Sequence, residues 1–222
     1  MSGRQPFKLF PRPIPFILTN MKSALIVSDA QKLTMGRTGY YARLSRKKGV
    51  EKELGYYFAS LPTTLENIKE LISFFRKTEL TIIFTRFHWE DPLDSRTQSD
   101  HPMFDYEEIL DEDFSFLEDL KPKDMEIVLN KICENPFNCT EIGDILKSIE
   151  VNHIAICGVR SPGYLDTMAL DAADRGFRVT LVSDACTGGF RNGPSNLISS
   201  LIRIRYTHML IDEFTSEQIG FE

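Results

Sequence analysis

Short apolar runs rich in Ile and Val recur along the chain: ALIVSD from residue 24, TIIFTR from 81, EIVLNK from 126, HIAICGV from 153, RVTLVSD from 178 and THMLIDE from 207. Their apolar positions are continuous rather than alternating, the pattern of strands covered on both faces. Helical periodicity fills several of the gaps. From Pro62, PTTLENIKELISFF sets Thr63 and Glu66 in capping-box spacing and puts Leu65, Ile68, Ile72 and Phe75 on one stripe. TEIGDILKSIE, from Thr140 to Glu150, reads the same way with Thr140 as N-cap. Strands alternating with helices imply a parallel sheet joined by right-handed crossovers. The expected fold is a three-layer αβα domain around a doubly wound sheet of about six mainly parallel strands.

In such a sheet functional groups collect at the carboxyl ends of the strands. That rule selects Asp29, Arg86 with His88, Lys131, and the turn after Gly158. Two stretches fall outside the alternation. The segment WEDPLDSRTQSDHPMFDYEEILDEDFSFLEDLKP, residues 89–122, is too polar for a core and rich in carboxylates. It reads as a lid-like insertion, either solvated or acting through its acidity by repelling anions or meeting a basic partner. At the other end, PFKLFPRPIPFILTN has prolines too close together for a helix, yet its Phe and Leu residues favour burial. Residues 1–22 are therefore read as an extended arm, lying across its own domain or docking on a neighbouring subunit.

Composition narrows the function classes. A chain of 222 residues with 42% hydrophobic content can bury one sizeable core, and no compositional break divides it, so residues 23–222 are expected to form one domain. The net charge of −6 argues against a nucleic-acid partner, which requires a Lys/Arg excess to displace counterions. No stretch reaches the roughly 18 apolar residues of a membrane span, and the beginning lacks the basic-then-apolar order of a secretory signal. The expected location is intracellular, the cytoplasm first, with an organelle left open. The cysteines at 133, 139, 157 and 186 form no C-x-x-C pair, so reduced thiols are expected, with Cys157 as core packing inside HIAIC.

The stretch GVRSPGYLDTMALDAADRG, beginning at Gly158, reads as a strand end, a tight turn and a helix opening. Ser161 and Pro162 have the residue types of an N-cap and first helical position. Together with ALIVSDAQ around Asp29 and NKICENPFNCTEIGDIL around Lys131, it resembles the isochorismatase-like cysteine hydrolase superfamily over about Ser23 to Glu213, with the motifs in the same order. The resemblance implies a triad: a cysteine thiolate attacks an amide-type carbonyl, an aspartate moves protons and a lysine holds the charges together. Asp29 matches the aspartate and Lys131 the lysine. The cysteine falls at Tyr164, whose phenol has an ordinary pKa of about 10 and fills space a substrate carbonyl would take. The resemblance also implies a cis bond between Val159 and Arg160, and a remnant oxyanion hole from the backbone N–H groups of Arg160 and Tyr164.

Two functional readings follow. In the first, the degenerate Asp-Lys-Cys triad has left an inactive or altered site, and the protein binds or assembles, as a homo-oligomer or as a subunit of a larger assembly through its arm. Arg160, where the family often has a small residue, and Tyr164 favour this. In the second, the site works without a thiol, as true isochorismatases do on a vinyl ether, with Asp29 as general acid and Lys131 orienting it. Tyr164, where those enzymes have a small residue, and the amidase-like TRFHWEDP depart from that pattern. The site residues are therefore Asp29, Lys131 and Tyr164, with Arg160, Phe137 and Arg86 as binding or wall residues and a small molecule as ligand. No cofactor is expected. No metal is expected either, because His88, His101, His153 and His208 are scattered and the latter two read as strand residues.

Overall fold

The computed structural model describes residues 21–88, 108–160, 163–187 and 202–219. Six strands form one parallel sheet: β1 (Ser23–Ser28), β2 (Thr81–Phe87), β3 (Ile127–Lys131), β4 (His153–Val159), β5 (Arg178–Thr187) and β6 (Ile202–Arg205), in the order β3-β2-β1-β4-β5-β6. The order reverses direction at β1, so the chain winds outward both ways from the centre. All six residues of β1 are buried, which is why its sequence carries no polar alternation. The expected three-layer, doubly wound parallel fold is what the chain adopts.

Helices α1 (Lys32–Met35), α2 (Tyr40–Lys48) and α3 (Gly55–Lys77) follow β1; α4 (Pro136–Cys139) and α5 (Ile142–Ser148) follow β3; α6 (Tyr164–Asp174) follows β4; α7 (Thr207–Ile219) closes the chain. One core lies under α3 and α7, where Ile68, Leu71, Ile72, Phe75 and Leu210 pack against Leu25, Val27 and Phe84. The other lies under α5 and α6, where Ile142, Leu146, Leu165 and Met168 meet Ile26, Ile83 and Ile156. Burying each such side chain contributes about 1.5–3 kcal/mol relative to exposure.

Local expectations fail where short signals compete. THMLIDE is the start of α7, not a strand, so His208 is helical. The Thr207 N–H and hydroxyl both donate to Asp184 Oδ1 at 2.8 Å and fix the helix start, while Leu210, Ile211 and Phe214 pack at helical spacing. A short apolar run fits either period, and packing decides. The sixth strand comes from residues 202–205 instead. Helix α3 begins at Gly55 rather than Pro62 and carries Pro62 inside it, because Tyr57 and Leu61 extend the buried stripe by two turns. The Thr140 hydroxyl does accept the Ile142 N–H at 3.3 Å, but Glu141 is the N-cap of α5.

The insertion's described part, residues 108–122, packs into the domain. It makes 3-10 turns at Asp111–Phe114 and Glu118–Leu120 and buries Asp113, Phe116 and Leu120. Gln31, fully buried, donates to the Phe87 and Phe114 carbonyls at 2.9 and 3.0 Å and accepts the Phe87 N–H, clamping this segment to β2. Residues 89–107, with Trp89 and His101, lie outside the described residues, as does the arm up to residue 20. His153 is held between Ser23 Oγ (2.8 Å) and Thr180 Oγ1 (2.9 Å), and burial lowers its pKa to about 3, so it is a neutral structural residue. Among the described residues no helix is long and apolar enough to cross a membrane.

Candidate functional site

The site forms where β1 and β3 end. Asp29 follows the last residue of β1 and adopts φ 56°, a left-handed conformation that a non-glycine residue rarely takes. Its backbone is fixed on both sides: its N–H donates to the Thr85 carbonyl (3.0 Å), and its carbonyl accepts from Gln31 N–H (2.8 Å) and the Thr34 hydroxyl (2.6 Å). The carboxylate is therefore aimed by the backbone rather than by a free rotamer search.

Lys131, the last residue of β3, is completely buried and meets Asp29 Oδ2 at 3.1 Å. Its ammonium also donates to the carbonyls of Cys133 and Glu134, each at 3.1 Å, and sits 3.4 Å from the centre of the Phe87 ring. Phe87 reaches it because the register between β2 and β3 pairs Phe87 with Lys131. Ser28 Oγ donates a second bond to Asp29 Oδ2 at 3.1 Å. Asp29 Oδ1 is buried and has no hydrogen-bond partner among the described residues. Burial raises the Asp29 pKa from 3.8 to about 6; Lys131 opposes the shift and the nearby Glu134 carboxylate adds to it. The site thus holds an acid that is half protonated near pH 6 and keeps roughly a tenth of its protons at pH 7.

Tyr164 is the first residue of α6. The N-cap is Gly163, at φ 136°, whose N–H donates to Asp166 Oδ2 at 3.2 Å; the helix therefore starts two residues later than Ser161 and Pro162 suggest, and those two lie outside the described residues. Glycine permits that turn, and no other residue would without strain. The Val159–Arg160 bond is cis, as the resemblance implies. The Arg160 guanidinium lies 4.3 Å from the centre of the Tyr164 ring. Burial first, then the Glu134 carboxylate within electrostatic range, pushes the Tyr164 pKa up to about 12, with Arg160 opposing the shift. Tyr41 and Tyr57, with ring centres 6.2 Å apart, complete this side, and Tyr57 donates to the Thr34 carbonyl at 2.7 Å.

Asp29 and Lys131 are thus in direct contact, and Arg160 and Tyr164 form a second group linked to them electrostatically through Glu134 and Tyr57. Arg86 and Phe137 are elsewhere. Arg86 donates to Asn130 Oδ1 at 2.8 Å and covers Phe116, while Phe137 is buried in the core beside Phe177 under Arg175. Sequence reasoning missed Glu134, Tyr41 and Tyr57. Glu134 had a signal, a carboxylate three residues past Lys131; the tyrosines come from the α2–α3 region, which carries no motif. A groove of about 800 Å3 bordered by Phe58, Leu61, Leu65 and Leu117 lies on the flank of α3 and includes none of the Asp29 group.

The expectation of four reduced thiols is corrected: Cys133 and Cys139 form a disulfide with Cα atoms 6.2 Å apart. The turn at Asn135 and the single turn of α4 fold the chain back on itself, a closure the six-residue spacing does not announce. The free thiols are buried Cys157, directed at the Ile26 carbonyl, and Cys186, directed at the Ile156 carbonyl. Burial pushes both thiols up, away from thiolate. Among the described residues no group of three or more His, Cys, Asp or Glu is arranged to hold a metal ion.

Residues 23–204 match the family model described as the isochorismatase domain. The uncharacterized isochorismatase family protein YrdC of Bacillus subtilis (strain 168) is 25% identical over 164 residues, spanning 74% of this chain and 73% of its own length. Among solved structures, an isochorismatase family protein from Burkholderia thailandensis superposes with a TM-score of 0.68 at 15% identity, over 87% of this chain and 96% of its own. A cysteine hydrolase from Pseudomonas syringae pv. phaseolicola superposes with a TM-score of 0.66 at 19% identity, over 96% and 100% of the two chains. At these identities the two structures speak to fold alone.

Proposed function

The chain belongs to the isochorismatase family, and from that premise we propose that it is a member whose site no longer performs thiol-based hydrolysis and acts by binding, with catalysis lost or altered. The observation carrying this reading is Tyr164 at the first position of α6, its ring 4.3 Å from the Arg160 guanidinium and its pKa raised by burial to about 12. A phenol that holds its proton this firmly is a poor nucleophile. The cysteines offer no substitute: two are paired with each other, and the other two are directed at backbone carbonyls within the sheet.

A second reading is favoured by one feature, the buried Asp29 Oδ1 without a partner among the described residues. A purely structural ion pair gains nothing from an unsatisfied oxygen. A carboxyl with a pKa of about 6 and one open oxygen suits proton donation to a substrate carbon, the thiol-free chemistry of vinyl-ether cleavage, with Lys131 holding the carboxyl in place. Because the acid must carry its proton, turnover on this reading falls about tenfold per pH unit above about 6.

One set of assays separates the two. The protein is assayed against small amides and vinyl ethers, alongside Asp29→Ala and Tyr164→Cys. The first reading expects no turnover by the native protein. Vinyl-ether turnover that disappears with Asp29→Ala overturns it in favour of the second, and amide turnover by the native protein overturns both. Gain of amide turnover only in Tyr164→Cys places the lost nucleophile at residue 164.

A further inference from the structure

The Lys131 ammonium has three N–H donors, and all are committed: to Asp29 Oδ2, to the Cys133 carbonyl and to the Glu134 carbonyl, each at 3.1 Å. None is left for Asp29 Oδ1, which is buried and has no partner among the described residues. The orphaned oxygen is thus a consequence of where the two carbonyls stand. Both belong to the stretch from Cys133 to Cys139 that the disulfide closes into a ring.

Residues 132–134 lie in neither β3 nor α4, so regular secondary structure does not fix those carbonyls. Asn135 holds the far side of the turn: its Nδ2 donates to Asp171 Oδ2 on α6 at 2.8 Å, and its Oδ1 accepts the Phe137 N–H at 3.1 Å. The near side is held by the Cys133–Cys139 bridge. A covalent closure restricts the positions a turn can sample, and opening it returns that freedom. Both cysteines are partly exposed, within reach of a dissolved thiol, whereas Cys157 is fully buried.

We propose that the Cys133–Cys139 bridge is a redox switch on the Asp29–Lys131 pair. Closed, it keeps both carbonyls on Lys131 and leaves Asp29 Oδ1 open. Opened by a dithiol reductant, it lets a carbonyl move away, and the freed N–H of Lys131 turns to Oδ1. In the opening step a reductant thiolate attacks one bridge sulfur and displaces the other; the second reductant thiol then displaces the first and closes the reductant's own disulfide. Two electrons pass to the bridge, and two protons end on Cys133 and Cys139. This goes beyond the binding reading above and does not depend on it, since it concerns how the pair is set, whichever chemistry the pair serves.

The test compares the full chain purified without reductant, the same protein in dithiothreitol, and the double variant Cys133→Ser/Cys139→Ser. Thiols are counted in denaturant with a chromogenic disulfide reagent, folding is followed by circular dichroism, and Asp29 is titrated by 13C NMR of its carboxyl carbon. Two thiols before reduction and four after are expected. The Asp29 midpoint is expected near 6 with the bridge closed. It should fall by about 1 pH unit on reduction, because a second ammonium contact favours the carboxylate. Displacing Glu134, whose charge raises the Asp29 pKa, acts in the same direction. The double variant should match the reduced protein and ignore dithiothreitol; Cys139→Ser takes its place if it does not fold. Four thiols before reduction, a midpoint unchanged or raised by reduction, loss of the fold on reduction, or a bridge-less variant that still responds to dithiothreitol overturns the proposal. None of these readouts involves turnover, so the amide and vinyl-ether assays are judged separately.

Discussion

Two carboxylates are buried to the same extent in this molecule, and they are satisfied very differently. Asp113 accepts at both oxygens: Tyr40 N–H (3.2 Å) and Arg43 Nη1 (3.1 Å) on Oδ1, Arg43 Nη2 (2.6 Å) and Leu110 N–H (2.9 Å) on Oδ2. Asp29 accepts at Oδ2 alone, from Lys131 and Ser28, and leaves Oδ1 without a partner among the described residues. Asp113 ties the insertion to α2. It has the bidentate arginine and backbone donors of a residue used for architecture. Asp29 is held as rigidly, but one of its oxygens is kept out of the protein's own bonding. The difference separates a charge that supports the fold from one that the fold supports.

The comparison can be broken by substitution. Asp113→Ala removes four accepted hydrogen bonds and the bidentate partner of Arg43, so it is expected to cost about 4 kcal/mol in urea unfolding, the largest single effect. The next effect is in pH. The folded-state pKa of Asp29 is raised above its unfolded value of 3.8, so the native state holds that proton more tightly. The stability it contributes is present below pH 3.8 and is lost as pH rises to about 6, up to about 3 kcal/mol. Unfolding curves of native protein and Asp29→Asn across pH 4 to 7 should therefore converge as pH rises, and parallel curves would disprove the shift. Smallest is Asp29→Asn itself at pH 7, about 1 kcal/mol, because Lys131 keeps the Cys133 and Glu134 carbonyls and Oδ1 had no bond to lose. A loss as large as that of Asp113→Ala would mean that the two carboxylates play the same role.

Much of this was legible in the chain because burial on both faces writes itself into continuous apolar runs. Five of the six strands stand where those runs lie, and Asp29 and Lys131 follow from the rule that function gathers at strand ends. What escaped was decided by contacts distant in sequence. THMLIDE became a helix through a bond to Asp184 and packing on α3. Arg86 occupies the right strand end, but pleating sends its side chain to Asn130 and Phe116, and Phe137 turns inward to the core. Tyr41 and Tyr57 reach the site from the α2–α3 region, a closeness that exists only once the sheet has assembled.

Gly158, at φ 123°, lies so close to β1 that a Cβ placed there would fall 2.0 Å from the Ser28 carbonyl oxygen. The strand bearing Asp29 and the turn bearing Arg160 are consequently fused at a point that tolerates no added atom. Exchanging the group at residue 164 alters the chemistry offered and leaves that joint alone, whereas any side chain at 158 would pry the two halves of the platform apart. Tolerance of substitution is lopsided here: residue 164 stands clear of the joint, whereas residue 158 has no room for a side chain.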